Sequence, residues 1–350
     1  VKDCIDTGWV SSAGAYVDRF EQDLAVCCEV KHAVAVVNGT AALHVSLLLA
    51  GVESGDEVLL PALTFVATGN AVAYCSAIPH FVDCEQATLG VSADALEQYL
   101  NEIATLDGGV CRNRGTGRII RSLIVMHTFG HPSDLPGLAR VCEKYNLVLI
   151  EDAAEALGSR YGDRHVGSHG LLSALSFNGN KIMTTGGGGA ILTDDAVLAE
   201  RAKHLTTTAK LKHPWRFDHD LIGFNYRLPN INAALGCAQL EQLPAFLEAK
   251  RNLAARYRER IASIDGVTFF VEQPFVRSNY WLNVILVDGD MTQRDTLIGA
   301  FHESGLLVRP VWTLLNRLPM YMDCPCAPLP VAERLEQQII SLPSGVTLGG

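Results

Sequence analysis

One lysine in this chain stands between an apolar strand pattern and a run of glycines. The strand pattern covers residues 171–177, Lys181 follows it, and four glycines at 186–189 lead into a second apolar run at 190–193. Glycine lets the backbone pass close to a ligand and adopt a positive φ. A lysine in such a place serves as a phosphate partner or, when desolvated, as a nucleophile that forms a Schiff base. The stretch matches neither the P-loop nor the dinucleotide motif, and alone it leaves a turn, a nucleotide site and a cofactor site open.

Polar residues also follow other predicted strands. Asn38 and Thr40 separate an apolar strand at 33–37 from an apolar helix at 41–50, and Asp152 follows the apolar run 147–150. Ser176 stands near the end of the strand that precedes the lysine. In parallel sheets, ligands bind at the carboxyl ends of strands, and a helix N-terminus there binds phosphate. Plain helix caps are the alternative for each residue taken singly, but their shared placement predicts one site.

These residue types match the needs of pyridoxal 5'-phosphate (PLP). Lys181 supplies an amine for the cofactor's aldehyde, and a buried carboxylate at Asp152 would keep the pyridine nitrogen protonated. The turn at Thr40 and the hydroxyl of Ser176 would donate to the phosphate, and Phe65 would stack on the ring. The alternative for Phe65 is an ordinary core aromatic. The combination, in this order, favours a PLP site.

The predicted elements that position these residues alternate between strand and helix. Near-continuous apolar strands of this kind are typical of an α/β fold with a mostly parallel sheet covered on both faces. The pattern changes inside a long helix that begins at Pro244, and a smaller α+β unit follows. We therefore predict a large domain at 1–245 and a small C-terminal domain at 246–350. An arginine-rich segment at 107–118 is predicted to be an exposed loop, with contact to a substrate phosphate as the alternative.

Composition excludes several classes of function. The net charge of −10 over 350 residues argues against a protein that binds nucleic acid or a membrane surface. We find no apolar run of membrane-spanning length in the sequence, and we expect no signal peptide. The ten cysteines are scattered without zinc-site spacing. We expect free thiols, a cytoplasmic location and no metal site.

Five motifs occur in the order of a known family. They are Asn38-Gly39-Thr40-Ala41-Ala42-Leu43, Pro61-Ala62-Leu63-Thr64-Phe65-Val66-Ala67-Thr68, Glu151-Asp152-Ala153-Ala154-Glu155-Ala156, Ser176-Phe177-Asn178-Gly179-Asn180-Lys181 and Gly223-Phe224-Asn225-Tyr226-Arg227. With these motifs nearly the whole chain resembles the DegT/DnrJ/EryC1/StrS family of sugar aminotransferases. The resemblance implies fold type I of the PLP enzymes, with a seven-stranded sheet in the large domain.

The resemblance also implies roles for individual residues. Lys181 would be the catalytic Schiff-base lysine and would carry the proton during transamination. Asn225 would reach the phosphate bound by the partner subunit, so a homodimer would share its active sites. The other implied cofactor contacts are Gly39, Thr40, Ala41 and Ser176 at the phosphate, Asp152 at the pyridine nitrogen, Phe65 on the ring and Glu155 near the phenolic oxygen. The implied substrate contacts are Asn180, Arg227, Trp215 and Arg309.

The implied reaction moves an amino group from L-glutamate, which leaves as 2-oxoglutarate, to a nucleotide sugar. Pyridoxamine phosphate would carry the amino group to C4 of a 4-keto-6-deoxy hexose, expected to be N-acetylated. The glycines at 186–189, with the segments 309–312 and 318–321, resemble a subgroup that makes amino sugars for bacterial glycans such as O-antigen, among them perosamine, legionaminic acid and bacillosamine.

The chain departs from the family pattern at two positions, and three competing hypotheses stay open. Many family members have Gln or His at the position of Glu155, and a carboxylate there would repel a phenolate unless it were protonated or turned away. Many also have a glutamate within the glycine run. A sugar dehydratase of the same superfamily would carry His in place of Lys181. The second hypothesis is a regulatory protein without turnover, and the third is a dinucleotide oxidoreductase.

Overall fold

A seven-stranded sheet forms the centre of the computed structural model, which describes residues 1–349. Its order is β1-β11-β10-β7-β6-β2-β3, and β11 alone runs antiparallel to its neighbours β1 and β10. The strands in chain order are β1 (His32–Val36), β2 (Glu57–Pro61), β3 (Ile78–Val82), β4 (Ala104–Asp107), β5 (Val110–Asn113), β6 (Ile120–Met126), β7 (Val148–Asp152), β8 (Arg160–Tyr161), β9 (Arg164–His165), β10 (Leu172–Ser176), β11 (Gly189–Thr193), β12 (Val267–Phe269), β13 (Val276–Arg277), β14 (Asn283–Val287), β15 (Arg309–Pro310) and β16 (Ile339–Leu342).

Helices cover both faces of this sheet. Successive strand residues point to opposite faces, so Leu59 joins one apolar cluster with α2, α5 and α6, while Leu60 joins a second cluster with α3 and α4. The mostly parallel α/β architecture predicted from the sequence is therefore confirmed. The helices are α1 (Lys2–Thr7), α2 (Ala15–Cys27), α3 (Gly39–Leu49), α4 (Val66–Tyr74), α5 (Ala93–Ile103), α6 (Leu135–Tyr145), α7 (Ala196–Thr206), α8 (Asn230–Ile261), α9 (Met291–Glu303) and α10 (Pro330–Gln338), with 3-10 turns at Thr128–Gly130, Leu315–Arg317 and Val346–Leu348.

The C-terminal part of the chain builds a second, antiparallel sheet. Its order is β12-β14-β16-β15, and α9 and α10 belong to the same part. Helix α8 continues through Pro244, so the predicted boundary at 245/246 falls inside one unbroken helix. Val284 and Leu335 of this C-terminal part belong to the same apolar cluster as Ile150 of the large sheet. The division into two domains at 245/246 stays a prediction.

The arginine-rich segment 107–118 contains strand β5, so the prediction of a loop is wrong at 110–113, whereas residues 108–109 and 114–118 form exposed turns and loop. Strand β5 pairs antiparallel with β4, which lies almost wholly before the segment, so the two strands form a β-hairpin. Buried Glu57 accepts hydrogen bonds from Asn113 Nδ2 at 2.9 Å and from Thr116 Oγ1 at 2.6 Å, which anchors the hairpin. Glu57 begins β2, so the hairpin lies at the amino ends of the parallel strands, at the opposite edge from their carboxyl ends. The alternative of a substrate-phosphate contact has no support in this placement.

Helix α3 differs from its prediction at its start. Helix α3 begins at Gly39, two residues before the predicted start, because Asn38 caps it. Helix α10 ends at Gln338, since Ile339 and Ile340 belong to β16. Within residues 1–349, none of the helices combines the length and the apolar character needed to cross a membrane.

Candidate active site

The predicted site residues follow strands that end at the same edge of the sheet. Asp152 ends β7 and Ser176 ends the neighbouring parallel strand β10. Ser176 pairs with Gly189 of β11, which in turn pairs with Val36 at the end of β1. A cavity of about 370 Å³ opens at this edge, a size typical of small-molecule sites. It is lined by Asn38, Gly39, Thr40, Leu43, Phe65, Ala67, Met126, Asp152, Ala154, Glu155, Ser176, Asn178, Asn180, Lys181, Gly187, Gly188, Trp281 and Trp312.

The N-terminus of α3 forms one end of the cavity. Asn38 Oδ1 accepts a hydrogen bond from the N–H of Ala41 at 2.8 Å, and the N–H groups of the first turn have no partner inside a helix. An added Cβ at Gly39 would lie 2.9 Å from Ser176 Cβ, so glycine allows the helix to approach β10. Gly39 and Thr40 thus bring a helix N-terminus beside the Ser176 hydroxyl, an arrangement suited to a phosphate. Ala41 is buried, and its N–H serves the cap.

Asp152 places a carboxylate in the cavity wall. Its Oδ2 accepts a hydrogen bond from Thr68 Oγ1 at 2.7 Å, and its Oδ1 accepts one from the N–H of Ala154 at 3.2 Å. Burial raises the pKa of Asp152 above its ordinary value, while the hydrogen bond from Thr68 opposes that rise. A carboxylate held in this way can keep a proton on a basic ring nitrogen.

Lys181 lies between a carboxyl group and an indole ring. Its Nζ is 3.4 Å from Glu155 Oε1 and 4.1 Å from the ring centroid of Trp281. Trp281 Nε1 donates a hydrogen bond to the backbone carbonyl of Asn180 at 2.7 Å, which ties the indole to the loop that carries the lysine. The amine is therefore held in a defined position within the cavity.

The two carboxyl oxygens of Glu155 face two different partners. Oε2 accepts a hydrogen bond from the N–H of Phe129 at 2.8 Å, and Oε1 faces Lys181. Burial raises the pKa of Glu155 to about 7, and Lys181 opposes this rise. The carboxyl is therefore turned toward the amine, and burial raises its pKa well above that of an ordinary glutamate.

Because the pKa of Glu155 is raised, we expect the unfolding free energy to depend on pH. A proton binds more tightly to Glu155 in the folded state than in the unfolded chain. The contribution of the protonated carboxyl to the unfolding free energy is therefore complete below pH 4.5 and is lost as the pH rises to about 7. Over that window we expect wild type to lose about 3 kcal/mol of unfolding free energy relative to Glu155→Gln. Urea unfolding of both proteins at several pH values measures this difference, and parallel stability curves would contradict the placement of Glu155.

Aromatic rings form another wall of the cavity. Phe65 is 48% exposed and its ring lies 6.1 Å from that of Trp312, whose ring lies 5.2 Å from Phe129. Phe65 is thus available to a planar ligand, and its stacking role stays a prediction. Trp281 and Trp312 come from the C-terminal part of the chain, and no local pattern indicates that Trp281 belongs to the site.

Four predicted site residues do not line this cavity: Asn225, Arg227, Trp215 and Arg309. Arg227 lines a second cleft of about 980 Å³ and donates to Asn225 Oδ1 at 3.2 and 3.0 Å. Trp215 is exposed and packs on His213 of that cleft, and Arg309 is exposed on β15 at the edge of the small sheet. Two acidic side chains line the cleft, Glu200 and Asp220. Its basic side chains are more numerous: Arg201, Lys203, His204, Lys210, Lys212, His213 and Arg227. The predicted roles of these residues stay predictions.

Comparison with known proteins decides the family. The DegT/DnrJ/EryC1/StrS aminotransferase family matches residues 1–350. The chain belongs to this family. It is 36% identical to the GDP-perosamine synthase of Escherichia coli O157:H7 over 344 residues, which are 98% of this chain and 89% of the relative.

Solved structures with a similar fold agree. DesV of S. venezuelae, solved with a ketimine intermediate, has a TM-score of 0.87 and 29% identity, and the match covers 99% of this chain and 88% of DesV. DesI, solved with its TDP-sugar product, has a TM-score of 0.86 and 30% identity, covering 99% of this chain and 84% of DesI. The type I fold, PLP dependence and the aminotransferase class are thereby established, and the oxidoreductase hypothesis is wrong.

The residues of this chain fit PLP. Lys181 presents an amine, Asp152 a buried carboxylate, and the α3 N-terminus with Ser176 a phosphate cradle, all in one cavity. The amine suits the aldehyde of the cofactor, the carboxylate suits its pyridine nitrogen, and the cradle suits its phosphate.

Proposed function

We propose that this chain is an aminotransferase that uses L-glutamate to aminate C4 of a nucleotide-linked 4-keto-6-deoxy hexose. The observation that carries the proposal is the shared cavity of Lys181, Asp152 and the α3 N-terminus. PLP, when bound, supplies the electron sink for amino transfer and holds the amino group between donor and acceptor. We further propose an N-acetylated hexose, a role in bacterial polysaccharides such as O-antigen, and a cytoplasmic location, which the ten free cysteines support.

Each site residue has a physical task in this reaction. Asp152 holds the proton on the ring nitrogen, as its buried carboxylate permits. Lys181 Nζ moves a proton between the cofactor carbon and the substrate carbon, because it is the amine within the cavity wall. Gly39, Thr40 and Ser176 hold the phosphate, with Ala41 contributing through the fold of the first helical turn, and Phe65 covers the ring.

The basic cleft supports a substrate with a diphosphate. Arg227 and its lysine and histidine neighbours carry more positive than negative side chains, and guanidinium and ammonium groups bind phosphates. One of the compared relatives is a GDP-perosamine synthase, which is named for a GDP sugar. Another, DesI, was solved with its TDP-sugar product. We propose Arg227, Trp215, Asn180 and Arg309 as substrate contacts.

A homodimer with shared active sites is part of the proposal. Leu221 and Ile222 are 56% and 90% exposed, and Trp215 and Phe217 are each 77% exposed. Apolar side chains clustered in one short segment indicate a surface covered by a partner. Asn225 lies three residues after Ile222 and so close to the proposed interface, and we propose that it reaches the partner's cavity.

The dimer proposal predicts the effect of one substitution. Ile222→Asp is expected to weaken the dimer by roughly 10–100-fold, because the interface would bury an unpaired charge. Light scattering coupled to size-exclusion chromatography measures this. Ile264→Asp is the control, since Ile264 is 51% exposed but lies in the turn after α8. Equal dimer stability for both variants would contradict the proposed interface.

The reaction itself is tested with a panel of substrates. The PLP-loaded protein is incubated with L-glutamate and 4-keto-6-deoxy hexoses carried on GDP, UDP or TDP, with and without N-acetylation, and the products are separated and identified by mass spectrometry. The proposal expects an amino sugar and an equal amount of 2-oxoglutarate. A product that has lost a hydroxyl without gaining nitrogen would favour the sugar dehydratase, and absence of any product from every sugar of the panel would contradict the proposed substrate class.

A further inference from the structure

A carboxyl, an amine and an indole meet at one corner of the cavity. Glu155 Oε2 is held by the N–H of Phe129 at 2.8 Å, which leaves Oε1 to face Lys181 Nζ at 3.4 Å. We propose that Glu155 is the proton acceptor of Lys181, so that it receives the proton that the lysine must lose before it can act as a nucleophile. This inference concerns the protein before the cofactor binds, and it rests on the proposed function only for its use in capturing PLP.

The transfer is balanced within the pair. One N–H bond of the Lys181 ammonium breaks, its electron pair stays on Nζ, and an O–H bond forms on Glu155 Oε1. An ammonium and a carboxylate become an amine and a carboxylic acid, with no oxidation or reduction. The net charge of the pair is zero before and after. Both side chains are largely buried, with exposures of 12% for Lys181 and 2% for Glu155.

Neutrality of the pair favours Glu155 over bulk water as the acceptor. If water took the proton, the Glu155 carboxylate would remain buried beside an uncharged amine. An unpaired buried charge costs several kcal/mol. Transfer to Glu155 avoids that cost because both groups become neutral together. The Trp281 ring, 4.1 Å from Nζ, stabilises the opposite state, in which the ammonium is present.

Few charged groups act on this carboxyl. Lys181 and Asp152 are the ionisable groups that face it, and the 3-10 turn contributes the Phe129 N–H. Asn279, which donates to the Glu155 backbone carbonyl at 2.9 Å, and Trp281 are uncharged, and nearby His127 contacts Glu151 at 3.0 Å. Burial raises the pKa of Glu155 to about 7, Lys181 opposes that rise and Asp152 adds to it. A group of this pKa exchanges protons efficiently near neutral pH.

Infrared titration of the cofactor-free protein tests the proton pair directly. The Glu155 band is the protonated-carboxyl band that disappears in Glu155→Gln. In wild type we expect it to titrate near pH 7. In Lys181→Met its midpoint is expected to rise by about one pH unit or more, because the opposing positive charge is gone. Lys144→Met is the matched control, since Lys144 pairs with Glu97 at 2.6 Å on the surface. An unchanged midpoint in Lys181→Met would overturn the proposal.

Capture of PLP gives a second readout. Glu155→Gln keeps the shape and can still accept from Phe129, but it cannot take up the proton. We expect it to slow the absorbance change on PLP binding about 100-fold at pH 7 and to move the rise in rate to higher pH, while Glu155→Asp restores part of the rate. An equal rate in Glu155→Gln would overturn the proposal. A wild-type protein that captured no PLP would refute the proposed function. The infrared titration would still test whether Glu155 accepts the proton of Lys181.

Discussion

Lys181→Ala is expected to reduce amino transfer by about 10³-fold or more, because it removes both the covalent attachment point and the group that moves the proton. Lys181 Nζ is the amine that lines the cavity shared with Asp152 and the α3 N-terminus. The fold is expected to persist, since alanine leaves the backbone hydrogen bond from Lys181 N–H to the Asn178 carbonyl in place. Measurement of 2-oxoglutarate formation from L-glutamate, with circular dichroism to confirm folding, checks both parts.

Lys144→Met is the control for this experiment. Lys144 pairs with Glu97 at 2.6 Å and lies 5.2 Å from the Tyr145 ring, so it resembles Lys181 in its partners but lies at the surface. We expect its loss to leave turnover within about twofold of wild type, as is usual for surface substitutions. Turnover that survives in Lys181→Ala would show that the lysine is not the catalytic group.

Asp152→Asn is expected to reduce turnover by roughly 10²-fold or more, because a neutral amide cannot hold a proton on the ring nitrogen. The substitution is nearly isosteric, and the amide oxygen can still accept the hydrogen bond from Thr68 that Asp152 receives at 2.7 Å. PLP is therefore expected to bind while its electron sink is weakened. Steady-state turnover and the absorption spectrum of the loaded variant separate these two effects.

Asp83→Asn is the matched control for this variant. Asp83 is also buried, but its carboxylate accepts from the N–H groups of Val331 and Ala332 at the start of α10, outside the cavity. Turnover should stay near wild type, with any loss appearing in stability. Similar turnover for the two variants would contradict the role proposed for Asp152.

Much of the site could be predicted because it is built from strand ends. Apolar runs followed by small polar residues are local patterns, and a parallel sheet brings the ends of β7 and β10 to one edge, so Asp152 and Ser176 could be grouped from the pattern of residues alone. Lys181 belongs to the same local pattern. The arginine-rich hairpin could not be predicted in this way, because buried Glu57, about fifty residues earlier, organises it.

The parts that escaped prediction depend on contacts between distant segments. Trp281 reaches the lysine loop from a segment about one hundred residues later, through a hydrogen bond to the Asn180 carbonyl. The orientation of Glu155 depends on the N–H of Phe129, whose φ of 58° places it in the left-handed region. A backbone of that kind is set by tertiary structure. The sequence therefore left open whether Glu155 was protonated or turned away.

The central claim is that Lys181 and Asp152 hold PLP for amino transfer from L-glutamate. An absorption spectrum of the purified protein with PLP, recorded before and after adding L-glutamate, tests it most directly. We expect a band of lysine-bound PLP that glutamate replaces with the band of pyridoxamine phosphate, and no lysine-bound band in Lys181→Ala. A wild-type protein that forms no such band with added PLP would contradict the central claim, and one that binds PLP but ignores glutamate would contradict the proposed donor.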